Sequence, residues 1–124
     1  MARKLEYAKL DQDAAEAAMT WARIALRLLW DIEIRVQDEP PEWVTGSPPE
    51  HLGSARVYRD DKRARLWISP SRAARPASGD PIEVVMQLMA SVFLQDGTDE
   101  SPVCGLDYRL GRLLAKAYRA GVEP

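Results

Sequence analysis

The sequence predicts an α+β domain, a small three-stranded sheet packed with an N-terminal, a buried central and a C-terminal helix. Three observations predict it. Asp80 to Gln95 reads as a capped and almost wholly apolar helix, Trp30 to Gln37 alternates apolar with polar residues, and residues 54–60 and 63–69 form two short strands across a tight turn. At 124 residues the chain is one domain, long enough to bury about two thirds of the surface its unfolded form exposes.

Residues 1–10 show no clear period and open with Arg3 and Lys4, so they are expected to be a flexible arm before a domain over 11–120. Asp13 followed by Glu16 forms a capping box for a helix over 14–29, where Ala18, Trp21, Ala22, Ala25, Leu28 and Leu29 keep a helical period. The strand over 30–37 follows almost at once, with Trp30, Ile32, Ile34 and Val36 on its packed side. Asp38 to Gly53 is a long loop rich in proline, carrying Trp43 and His51.

In the hairpin, Ala55, Val57 and Arg59 share one face and Arg56 and Tyr58 the other, while Leu66 and Ile68 oppose Arg65 and Trp67. Pro70 to Gly79 connects it to the helix over 81–95. There Asp80 is placed to cap, Pro81 suits the first helical position, and Glu83 completes the box. Only Glu83, Gln87 and Ser91 interrupt the apolar surface, in one narrow stripe, so this helix is expected to be buried. Turn residues from Asp96 to Pro102 break it. The last helix, 104–120, places Leu106, Leu110, Leu113, Leu114 and Ala117 on an apolar side and Arg109, Arg112, Lys116 and Arg119 on a basic ridge.

Composition excludes several classes. One cysteine, Cys104, forms no internal disulfide, and with the single His51 it makes no zinc-ligand set. No apolar run reaches the roughly 18 residues a membrane span needs, and the N-terminus lacks the blocks of a secretory signal. A cytoplasmic protein with no membrane partner is expected. The seven glycines are scattered, so no phosphate loop is present. Asp96, Asp99, Glu100 and Asp107 offer hard oxygens, but their spacing fits no calcium loop, and a solvated acidic turn is the simpler reading. A thiol and imidazole pair of Cys104 and His51 is outweighed by accident of composition.

The order of a strand such as Trp30 to Val36, a hairpin ending in Ser69-Pro70, and a helix opening Glu83-Val84-Val85 resembles the small zincin-like metallopeptidase domains of phage and bacterial genomes. Those domains carry His-Glu-x-x-His in the buried helix, where two histidines hold zinc and the glutamate activates water. Here the motif falls on Met86-Gln87-Leu88-Met89-Ala90. Met86 and Ala90 offer zinc no suitable ligand, and Gln87 is no general base near neutral pH. The resemblance therefore implies a pseudoenzyme without metal or cofactor, phage-encoded, acting by binding a host or viral protein.

Two surfaces are candidates for that binding. Trp43, Tyr58 and Trp67, with Arg56 and Arg65, supply the residue types that dominate protein interfaces. Arg109, Arg112, Lys116 and Arg119 form the helical ridge. Together the basic residues also fit a nucleic-acid-associated protein. Against either stands a plain reading, in which the arginines are solvated or locally paired and the aromatics pack the hairpin.

Overall fold

The structure, a computed structural model, describes residues 7–44, 51–74, 76, 78–96 and 105–124. Its elements are α1 (Gln12–Ala25), β1 (Asp31–Val36), β2 (Gly53–Tyr58), β3 (Arg63–Ile68), α2 (Ile82–Gln95) and α3 (Leu106–Arg119). The strands form one sheet in the order β1-β3-β2, with β3 parallel to β1 and antiparallel to β2. The α+β class and the placement of all three helices agree with the sequence. Sheet order was not readable there, because β1 and β3 meet across a long intervening segment.

Asp11, rather than Asp13, starts α1, its carboxylate accepting the Ala14 N–H at 2.7 Å. Gln12 and not Ala14 is therefore the first helical residue. Ala15, Ala18 and Ala22 fall on one side and are fully buried, which lets the helix lie close to the core.

The far end stops at Ala25, four residues short of the expected Leu29. Arg27 adopts a left-handed φ of 51°. Its N–H donates to the Ile24 carbonyl and that of Leu28 to the Arg23 carbonyl, both at 3.0 Å, the pair of bonds that closes a helix with a left-handed residue. Glycine usually occupies such a position, so the sequence carried no stop signal. Leu28 is drawn into the core, and Leu29 is left 93% exposed.

α2 is the centre of the molecule, packing against α1, α3, β2 and β3. Val85, Met86, Met89, Ala90 and Val92 are fully buried, in one core with Ile32, Ile34, Ala64, Leu66 and Ile68 of the sheet. Asp80 does cap it, accepting the Ile82 N–H at 3.0 Å. Glu83 does not complete the expected box. Its carboxylate turns to Gln87, while the Asp80 N–H goes to Ser78.

The expected apolar side of α3 needs rotating. Leu113 and Leu106 are exposed, whereas Gly111, Leu114 and Ala115 are buried. Gly111 explains the shift: a Cβ there would lie 2.6–2.8 Å from the backbone and side chain of Gln87. The missing side chain lets α3 settle on α2 along the Gly111 side. Val122 accepts the Trp21 indole N–H at 2.8 Å, and Trp21 meets Tyr118 edge to face, which ties the C-terminal segment to α1. Leu10, assigned by sequence to the arm, is part of the core.

Candidate functional site

The helices pack on one face of the sheet, the face of Ile32, Ile34, Ala55, Val57, Ala64, Leu66 and Ile68. Alternation sends Glu33, Arg35, Arg56, Tyr58, Arg63, Arg65 and Trp67 to the other. This open face carries four of the nine residues that the sequence offered as binding candidates, Arg56, Tyr58, Arg65 and Trp67.

Register dictates its pattern. Arg65 on the central strand lies opposite Glu33 on one side and Arg56 on the other. Arg65 Nε holds Glu33 Oε1 at 2.9 Å, and Arg56 donates to the Trp43 carbonyl at 3.3 Å. Tyr58 lies opposite Arg63. The guanidinium of Arg63 sits 4.7 Å from the Tyr58 ring centre and that of Arg56 5.6 Å away, within the range of cation–π attraction. Trp43 Nε1 and Arg63 Nε are buried with no hydrogen-bond acceptor among the described residues.

Trp67 departs from expectation. It is fully buried, although it belongs to the outward face. Its indole N–H donates to the Gln37 carbonyl at 2.7 Å, and the Arg72 guanidinium lies 5.9 Å from its ring. The segments flanking β1 and β3 are thus folded over it. Asp38 fastens them together by accepting the Ser71 N–H at 3.0 Å and the Ser71 and Ser69 hydroxyls at 2.8 and 3.1 Å. The backbone bond from Ser71, then its hydroxyl, holds the Asp38 carboxyl below its ordinary range. Trp67 is a structural residue and offers a partner no surface.

The ridge on α3 also divides. Arg119 grips Asp80 with two bonds, Nε at 2.9 Å and Nη2 at 2.8 Å, and stacks 4.8 Å from the Tyr7 ring. Hydrogen bonding to Asp80 raises the Arg119 pKa further above its ordinary value. Arg112 Nε lies 3.6 Å from the buried Glu83 carboxylate. These side chains and Lys116 line a crevice of about 300 Å3 beside the start of α2. Two members of the ridge thus face inward to carboxylates. Arg109 and Lys116 are exposed, and so in part are Arg112 and Arg119.

The remaining hairpin cations serve the end of α2. Arg59 donates to Gln95 at 3.1 Å, and Lys62 to Asp96 at 2.8 Å. That bond from Lys62 lowers the Asp96 pKa, and cations at a helix C-terminus are favourable.

Met86 and Ala90 are fully buried, and Gln87 lies under Gly111. α3 covers this stretch in part, through Gly111 on Gln87, while Gln87 and Leu88 stay half-buried beside a cleft of about 420 Å3 that they share with His51, Gly53, Asp107 and Tyr108. Among the described residues no group of three or more His, Cys, Asp or Glu is placed to hold a metal. Asp99, Glu100 and Cys104 lie outside the described residues, so neither the acidic cluster nor the pair with His51 has a structural description. Among the described residues no helix is long and apolar enough to cross a membrane.

The alternation puts Glu33 and Arg35 on the wet side of their strand and Arg63 among the basic residues of the hairpin, but it does not bring the first two beside the hairpin. Parallel pairing of β1 with β3 brings the first two there, and no local signal announces it. Gly111 did leave a signal, a glycine inside a helical pattern, which points to close backbone approach. No family model, curated protein or solved structure matches this chain.

Proposed function

We propose that this chain is a non-catalytic binding protein whose open sheet face receives an acidic surface of another protein. The opposition of Arg56 and Arg65 across β2 and β3 carries the reading. Like charges placed directly opposite destabilise a sheet. Glu33 relieves Arg65 from one side only, and Arg56 is exposed. A carboxylate arriving from outside would bridge the two guanidiniums and remove their repulsion. Tyr58, flanked by Arg56 and Arg63, adds the aromatic surface that anchors interfaces.

The zincin-like origin belongs to the same proposal, with a phage source and a host or viral protein as partner. Its support is the order of strand, hairpin and helix, with Met86, Gln87 and Ala90 at the motif positions. In this reading α2 has passed from holding a metal to holding the fold. Metal analysis of protein purified without chelator tests it, and stoichiometric, tightly held zinc contradicts it.

A nucleic acid is the second reading, favoured by the Tyr58 ring, on which a base can stack. Fluorescence anisotropy with a labelled polyglutamate peptide and a labelled single-stranded oligonucleotide, each across a salt series, separates the two. The peptide is expected to bind, and R56E/R65E to abolish binding. Tighter binding of the oligonucleotide at every salt concentration, with a slope of about 0.7 per phosphate contact on a log–log plot, transfers the assignment to nucleic acid. Binding of neither probe removes the proposal.

A further inference from the structure

We infer that the free edge of β1 is an interface at which a second copy of this chain adds, antiparallel, to make one continuous sheet. β1 is an edge strand. The Asp31 and Gln37 N–H groups reach inward to the carbonyls of Lys62 and Ile68. Odd-numbered residues therefore bond to β3, and Ile32, Ile34 and Val36 turn their backbone groups outward.

One side chain already behaves as a strand there. Gln12, in the first turn of α1, donates to the Ile34 carbonyl at 2.7 Å and accepts the Val36 N–H at 2.9 Å. Its amide copies one donor and one acceptor of a neighbouring backbone. Exposed edges are pairing hazards that folded proteins cover, and among the described residues the hydrogen-bonding cover is a single exchangeable side chain. Next to it, Gln12, Glu16, Met19 and Thr20 of α1 and residues 32–35 of β1 bound an open cleft of about 550 Å3, which leaves the edge reachable.

Charge selects the occupant. In an antiparallel pair centred on Ile34, Ile34 exchanges both backbone bonds with Ile34 of the second copy, and Ile32 does so with Val36. Glu33 then falls directly opposite Arg35 of the second copy, and Arg35 opposite Glu33. Both are exposed, on the open face. The edge is self-complementary, as a two-fold interface must be. Centring on Ile32 instead would set Glu33 against Asp31, two like charges. The contact shares Glu33 with the acid-binding face but uses neither Arg56 nor Arg65, so R35E, which leaves the Glu33–Arg65 pair in place, tests it apart from that face.

Sedimentation velocity from micromolar to millimolar protein tests this, with circular dichroism confirming the fold of each variant. A reversible monomer–dimer equilibrium is expected. R35E replaces both attractive pairs by repulsive ones and should weaken dimerisation about tenfold. E33R/R35E restores opposite charges across the axis and should return the equilibrium close to wild type, a rescue that simple loss of stability would not give. Q12A removes the competing amide and should strengthen the dimer. Monomer at every concentration in both wild type and Q12A overturns the inference, as does a dimer indifferent to R35E. A wild-type monomer that nonetheless binds a synthetic peptide copying residues 31–37 assigns the edge to an extended segment of another protein and overturns the second-copy assignment.

Discussion

Arginines on the sheet and arginines on α3 are the same chemistry in two settings. On α3, Arg119 and Arg112 face carboxylates buried at the start of α2, one in a two-bond grip and the other at 3.6 Å. On the sheet, Arg56 and Arg65 face each other, and among the described residues one of them reaches a carboxylate. A basic stretch in a sequence thus carries no information about whether its counter-ions lie in the same chain. The decisive carboxylates stand far upstream in the sequence, Glu83 by 29 residues from Arg112 and Asp80 by 39 from Arg119, and α3 meets them because Gly111 lets it settle on α2.

The largest disturbance of this contrast should come from that glycine. Gly111→Ala forces a Cβ to within 2.6–2.8 Å of Gln87, and overpacking of this kind costs about 3 kcal/mol. Urea denaturation should show the loss, together with greater exposure of Trp21 fluorescence as α3 lifts. Arg119→Ala comes next. It leaves the Asp80 carboxylate buried without its partner. Because Arg119 is itself 39% exposed, the loss should be about 2 kcal/mol, below the range of fully buried pairs.

A smaller effect concerns the fastening over Trp67. Asp38 has a depressed pKa in the folded state, so its contribution is present above its ordinary value of 3.8 and fades as pH falls through the folded value. Asp38→Asn should therefore be less stable than wild type at neutral pH, with the difference closing in acid. The smallest effect belongs to the sheet. Arg56→Ala removes a like-charge neighbour of Arg65 and should leave stability unchanged or raise it by a few tenths of a kcal/mol. A large loss from Arg56→Ala would erase the distinction between the two sets.

Periodicity made the elements legible. Alternation in Ile32, Ile34, Leu66 and Ile68, and the apolar run of α2 behind Asp80, follow from local rules that the fold obeys. The end of α1 was hidden because Arg27, not glycine, takes the left-handed position. Trp67 was placed on the correct face, yet that face is locally covered by segments near Gln37 and Arg72 that no period describes. Of the candidate site, Arg56, Tyr58 and Arg65 were readable from the hairpin alone. Glu33 and Arg35 joined them through parallel pairing, which is a tertiary fact.

The most direct test of the contrast is the affinity of the labelled polyglutamate peptide for two paired variants, R56A/R65A and R109A/K116A, measured side by side with wild type at low salt. Loss of at least about tenfold in the first, equivalent to about 1.4 kcal/mol, with affinity retained in the second, is the expected result. Binding that survives R56A/R65A and disappears in R109A/K116A would place the interaction surface on α3 and contradict the account.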